Sequence, residues 1–149
     1  MSKLLFIILS IVGGVLAGVQ ASINGELGKR VGGLEASLIS FFIGTLFLVF
    51  IVLFFGKGQI HQIFTVPKWQ LLGGFLGAVF VTVIILSIPH TGVALTIFAA
   101  IIGQMLISLT IDHFGFLGIQ AIPMNWSRVF GLLLMLAGLF FIYRGSITQ

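Results

Sequence analysis

Long runs without a charged side chain recur along this sequence. Residues 4–23 and 36–56 contain no Asp, Glu, Lys or Arg, and neither does the longer segment 69–111. A helix that crosses a bilayer needs about 20 consecutive, mostly apolar residues. The runs are uniformly apolar, whereas the strand of a membrane β-barrel alternates over about 10 residues. The pattern therefore predicts an all-α fold of transmembrane helices.

The composition gives the same answer from the whole chain. Hydrophobic residues make up 59% of the 149 positions and charged residues 7%, and the mean hydropathy is +1.29. Soluble domains carry roughly 25% charged residues, so this chain has too few to cover a surface in water. Lipid must be its main solvent, and we expect residues 1–149 to form a single transmembrane unit.

One apolar segment is too long for a single crossing. Residues 69–111 far exceed the about 20 residues that one span needs, but Pro89 and Gly92 fall in the middle and are typical of a turn. We therefore predict five spans joined by short loops. Their approximate bounds are 4–23, 36–56, 69–88, 91–111 and 126–143.

The loops carry little information about orientation. With five spans the termini lie on opposite faces, and the basic residues divide almost evenly between the two. Lys3, Lys57, Lys68 and Arg128 fall on the N-terminal face, and Lys29, Arg30 and Arg144 on the other. The positive-inside rule then leaves two readings. Either another feature fixes the orientation, or the chain inserts both ways and forms an antiparallel homodimer with a two-fold axis in the membrane plane.

Polar side chains inside the spans are candidates for solute binding. Gln20 and Asn24 lie four residues apart near the end of the first span, and Gln104, Ser108 and Asp112 follow one side of the fourth. A polar group in hydrocarbon is unfavourable unless it finds a partner or water. One reading is a hydrated path that binds a small polar or amphipathic solute. The other is hydrogen bonding between helices, worth ~1 kcal/mol each.

The few acidic residues are candidates for gating or proton coupling. Asp112 stands beside His113 at the end of the fourth span, and Glu35 begins the second. Ionisable groups at membrane depth are often functional, and a neighbouring carboxylate can bring histidine titration near neutral pH. The alternative is a solvated interfacial turn. We read Glu26 as such a turn residue, in a glycine-rich polar connection between the first two spans.

Several function classes lack support in the sequence. The chain has no cysteine, and its histidines lie apart without the spacing of metal ligands. Its glycines sit in apolar helices rather than after strands, so no phosphate-binding loop is predicted. The pI near 10.2 comes from basic residues in loops, which flank membranes, and predicts no nucleic-acid partner. We expect neither a cofactor nor enzymatic activity.

Several segments resemble one known family along nearly the whole chain. They are residues 20–27 (QASINGEL), 40–46 (SFFIGTL), 67–69 (PKW), 73–78 (GGFLGA), 103–104 (GQ) and 111–115 (IDHFG), followed by Arg128 and Gly131. In these positions the sequence is similar to the YdcZ-like bacterial inner-membrane exporters, which are grouped in the drug/metabolite transporter superfamily with the EamA-like proteins.

The resemblance implies both an architecture and an activity. In that superfamily a five-helix unit is half of a ten-helix transporter, and the second half is fused, encoded by a paired gene or supplied by a homodimer. The chain departs from two patterns within the superfamily. Asp112-His113 stands where fused members commonly have a Gly-Glu turn, and the first helix has Gln20 and Asn24 where the small multidrug-resistance branch has a buried Glu. From the resemblance we predict an exporter of small molecules that works as a dimer by alternating access. The alternative is a structural or regulatory membrane subunit that pairs with another membrane protein and does not itself transport.

Overall fold

The computed structural model describes residues 3–147, which consist of helices and the segments that connect them. In this range four helices are long and apolar enough to cross a membrane by length and composition, one of them including a short 3-10 turn at Lys68–Leu71. The all-α fold class is confirmed, and the described residues contain no strand. Residues 1, 2, 148 and 149, which the predicted unit also includes, lie outside the described residues. The four α-helices are α1 (Lys3–Val31), α2 (Gly33–Phe55), α3 (Leu72–Phe114) and α4 (Trp126–Ile147).

The connection between α1 and α2 is shorter than the sequence suggested. The predicted glycine-rich turn is wrong, since α1 continues to Val31 and Gly32 alone separates it from α2. Glu26 explains part of the extension, because its carboxylate lies 3.4 Å from Lys29 and 3.5 Å from Arg30 on the next helical turn. Gly32 has a φ of 102°, which only glycine adopts readily, and this one residue reverses the chain.

Close helix packing explains the glycines around this turn. They let the beginning of α2 and the end of α1 approach the first half of α3, where Ile85 is 2% exposed and Ile88 is buried. A Cβ atom on Gly28 would lie 2.7 Å from Cγ2 of Ile85, and one on Gly25 would lie 2.9 Å from Cγ2 of Ile88. Small residues of this kind let helix backbones pack tightly in lipid.

A hydroxyl contact accompanies this packing. Ser37 of α2 is buried, and its Oγ lies 3.0 Å from Oγ1 of Thr82 on α3. The same Thr82 Oγ1 lies 2.8 Å from the carbonyl oxygen of Ala78. The pair satisfies two polar groups inside the apolar packing, as interhelical hydrogen bonds in membranes commonly do.

A backbone break interrupts α3 where the sequence predicted a turn. Gly92 has φ 76° and ψ 165°, outside any helical conformation, while helical residues continue on both sides of it and Pro89 lies one turn before. The hydroxyl of Thr96 donates to the carbonyl oxygen of Gly92 over 2.7 Å, within the helical turn that follows the break. The chain divides into two compact units between His90 and Thr91.

The second unit contains the rest of α3 and α4. Ile102 and Leu109 of α3 are buried. A Cβ atom on Gly138 of α4 would lie 3.3 Å from the ring of Phe98, so the two helices are in close contact there. The connection between them includes a 3-10 turn at Phe116–Gly118.

The first prediction concerns the glycine packing. Replacing Gly28 with Val should destabilise the fold by about 1–3 kcal/mol, because the added side chain overlaps the fully buried Ile85. Gly14→Val on the same helix is the control, since a Cβ there meets no atom within 4 Å. Detergent titration measures the free energy of unfolding of both variants. Equal values for the two would contradict the close packing at Gly28.

The second prediction concerns the break. Gly92→Ala should lower the free energy of unfolding by about 1–3 kcal/mol, because its φ and ψ belong to a region that is essentially confined to glycine. Gly103→Ala in the same helix should instead be neutral or stabilising, since its surroundings are open. If both variants unfold alike in the same titration, the break is not the conformation of the protein in lipid.

Candidate functional site

A cleft opens in the second unit between the end of α3 and the beginning of α4. Its volume is about 370 Å³, near the lower end of the roughly 300–1,000 Å³ of ligand pockets. The walls are mostly apolar, with charges and a hydroxyl among them. The lining residues are Met105, Ser108, Leu109, Asp112, Arg128, Gly131, Leu132 and Met135.

An ion pair is the main polar feature of this cleft. Nη1 of Arg128 lies 3.3 Å from Oδ2 of Asp112, and the two side chains are 27% and 31% exposed. The same Nη1 lies 3.4 Å from the carbonyl oxygen of Ile122. Partial burial reduces the screening of these charges by water and salt. The pair therefore places two opposite charges side by side on the wall of a mostly apolar space.

Backbone hydrogen bonds hold the connection against the end of α3. The N–H of Ile122 donates to the carbonyl oxygen of Asp112 over 2.7 Å. The N–H of Met124 donates to Nδ1 of His113 over 3.0 Å. These bonds connect Asp112 and His113 to the segment just before α4. In this conformation the two residues therefore join the end of α3 to that segment.

The beginning of α4 has a side-chain cap that places Arg128. Oδ1 of Asn125, the residue before the helix, accepts the backbone N–H of Arg128 over 2.9 Å. Asparagine is a favoured residue at this position because it satisfies an N–H that has no partner within the helix. The cap fixes the backbone of the first turn of α4, from which the Arg128 side chain reaches Asp112.

The predicted polar residues of the first unit have different surroundings. Asn24 is 6% exposed, and its Nδ2 donates to Oγ of Ser40 on α2 over 3.0 Å. Gln20, one turn earlier, is exposed. Glu35 is also exposed, in the first turn of α2, where its carboxylate folds back over Gly32 and complements the positive end of the helix.

The structure brings two of the predicted residues together in the cleft. Ser108 and Asp112 line it one turn apart, while Gln104, one turn earlier, is exposed and lies outside the lining. Binding and coupling roles of these residues remain predictions. Sequence reasoning missed the partner of Asp112, since it considered Arg128 only as one of the basic residues on the N-terminal face. The pairing of opposite charges on successive spans could have indicated it.

The described residues show no grouping suited to a bound metal. Within residues 3–147, no cluster of three or more His, Asp or Glu side chains could hold an ion together. The chemical groups that the cleft offers a ligand are the guanidinium of Arg128, the carboxylate of Asp112, the hydroxyl of Ser108 and apolar side chains. Such groups bind and orient a solute by charge and by apolar contact.

The long apolar helices are those of a multi-pass membrane protein. The sequence matches the family described as "Putative inner membrane exporter, YdcZ" over residues 5–141. The chain belongs to this family and is a multi-pass protein of the inner membrane. Membership favours a transporter rather than an enzyme. No curated protein and no solved structure matches the sequence.

The third prediction tests whether the ion pair connects α3 to α4. In a double-mutant cycle, Asp112→Asn and Arg128→Gln should show a coupling energy of about 0.5–3 kcal/mol, because each removes the same partly buried contact. The exposed pair of Glu26 and Lys29 is the control and should couple by only about 0.2–0.5 kcal/mol. Detergent unfolding gives both values, and additive effects at Asp112 and Arg128 would show that the contact is absent.

Proposed function

We propose that this chain is the five-span protomer of a dimeric exporter that moves small polar or amphipathic solutes by alternating access. The observation that carries the proposal is the family match, which extends over residues 5–141 and so includes both compact units. The polar residues inside apolar helices supply groups that a solute could contact.

The length of one helical segment supports five crossings rather than four. Lys68–Phe114 contains 47 residues, which at 1.5 Å per residue would extend about 70 Å. The hydrocarbon core of a bilayer is about 30 Å thick. Division at the Gly92 break gives two segments, each of a length suited to one crossing.

Dimerisation follows from the proposed architecture. A five-span protomer has the size of one half of a ten-span transporter, and an antiparallel second copy would supply the other half. Open space beside three glycines of α1 leaves room for a helix of that copy. A Cβ atom on Gly13, Gly14 or Gly18 meets no atom within 4 Å, so these residues remain available for close helix contact.

The solute path would use the predicted polar residues. We assign contacts with the solute to Gln20, Asn24, Gln104 and Ser108, with lipid around the apolar faces. Gln20 and Gln104 are exposed in the single chain, which suits side chains that meet a solute between two protomers.

Gating would use the three ionisable residues Asp112, His113 and Glu35. Nδ1 of His113 accepts the Met124 N–H over 3.0 Å in this conformation. Protonation there would turn the acceptor into a donor and release the connection before α4. This gives the Asp-His pair a means of linking proton uptake to a movement of the cleft wall.

The fourth prediction tests export directly. Proteoliposomes loaded with a bacterial metabolite extract should lose particular solutes, identified by mass spectrometry, faster than protein-free liposomes. Combined alanine replacement of Gln20, Asn24 and Gln104 should slow that loss about tenfold, the effect of removing about 1.4 kcal/mol of interaction.

The matched control removes the same number of amides outside the predicted path. Alanine at Gln59, Gln62 and Gln70, which lie in or beside the connection between α2 and α3, should leave the loss unchanged. If the wild-type protein releases no solute beyond the protein-free background, the export proposal fails and the chain is better read as a subunit of another membrane protein.

A further inference from the structure

The cleft between α3 and α4 has a charge arrangement that narrows the kind of solute it can accept. Its ion pair places one positive and one negative group side by side on the same wall. A simple anion attracted to Arg128 would also meet the carboxylate of Asp112, and a simple cation would meet the guanidinium. A ligand that carries both charges close together avoids either repulsion.

The ion pair leaves hydrogen-bonding capacity on both partners. Among the described residues, the bonds of the Arg128 guanidinium all use Nη1, which leaves the edge formed by Nε and Nη2. That edge matches the two oxygens of a carboxylate or phosphate. Asp112 uses Oδ2, so its Oδ1 can accept from an ammonium group.

The remaining walls favour an apolar body on the same ligand. Met105, Leu132 and Met135 line the cleft beside the charges, and methionine adapts its shape to different apolar groups. A volume of about 370 Å³ suits a small molecule. Gly131 adds to this space, because a Cβ atom at that position would meet no protein atom within 4 Å.

From this geometry we infer that the cleft binds a small zwitterionic amphiphile, with its anionic group on Arg128, its ammonium on Asp112 and its apolar body against Met105, Leu132 and Met135. The inference rests on the proposed export function for its role as a substrate site, whereas binding itself can be measured without transport. A phospholipid headgroup with an ammonium and a phosphate offers the same chemistry, and the experiment separates this source from a free solute.

The test uses the full chain in nanodiscs of phosphatidylglycerol, a lipid without an ammonium group. Radiolabelled L-leucine serves as the zwitterionic probe in equilibrium dialysis. Two competitors each lack one charge: 3-methylbutylamine has no carboxylate, and 4-methylpentanoate has no ammonium. Each should compete at least about tenfold more weakly than unlabelled leucine, the effect of losing one charge-assisted contact. Equal competition by either analogue, or no leucine binding, would overturn the inference.

A variant that fills the cleft locates the binding site. Gly131→Leu should weaken leucine binding about tenfold or more, with little change in melting temperature, because the new side chain extends into open space and leaves the ion pair intact. Gly145→Leu on the same helix is the matched control, since its surroundings are equally open and it lies outside the cleft. Unchanged binding by Gly131→Leu would overturn the assignment.

Lipid competition and the transport assay separate the binding site from the export function. If phosphatidylethanolamine in the nanodiscs weakens leucine binding tenfold, the site belongs to a lipid headgroup and the assignment to a free solute is overturned. If leucine binds as expected but liposomes release no solute, the export proposal fails while the binding site stands. If solutes are released but leucine does not bind, the export proposal stands without this site.

Discussion

The absence of hydrogen-bonding partners in lipid is the constraint on which the rest of this structure depends. Each backbone N–H and C=O within the bilayer must be satisfied by the chain itself, and an α-helix does so within one segment. The four long helices meet this condition along most of the described chain. Gly92 is the exception within α3, since its backbone conformation is not helical. Because an unbroken helix of this length would greatly exceed the bilayer, the break supports the proposal of a fifth crossing.

Polar groups are distributed differently in the two compact units. In the first unit, Asn24 bonds to Ser40 and Ser37 lies against Thr82, so these polar side chains connect helices in an otherwise apolar packing. In the second unit, the Asp112–Arg128 pair lies at a helix junction and lines an open cleft. A satisfied pair between tightly packed helices favours stability, whereas charges beside open space can exchange their contacts for those of a ligand. These charges beside open space are the basis of the binding site inferred for the second unit.

The helices and their apolar character could be predicted from the sequence, because length and composition alone decide what lipid accepts. The connection between α1 and α2 could not, since glycine is typical both of turns and of tight helix contacts. Gly25 and Gly28 lie inside α1, where the absence of a side chain lets Ile88 and Ile85 pack close to the helix. The partner of Asp112 was missed for a related reason. Spacing along one helix identifies residues on a face, but it does not show that α4 brings Arg128 to that face.

The number of times that α3 crosses the membrane is tested most directly by asking whether the loops before and after it lie on the same side. The native chain has no cysteine. A variant with both Gly58→Cys and Gln120→Cys therefore carries one exposed thiol before α3 and one after it. Intact cells are treated with an impermeant thiol reagent, and the labels per molecule are counted by mass spectrometry. Permeabilised cells provide the control in which both thiols react. If the chain crosses the membrane once on each side of Gly92, both thiols lie on the same side, and we expect each molecule to carry either no label or two. A population dominated by molecules with one label would mean that α3 crosses once, and it would contradict the five-span protomer.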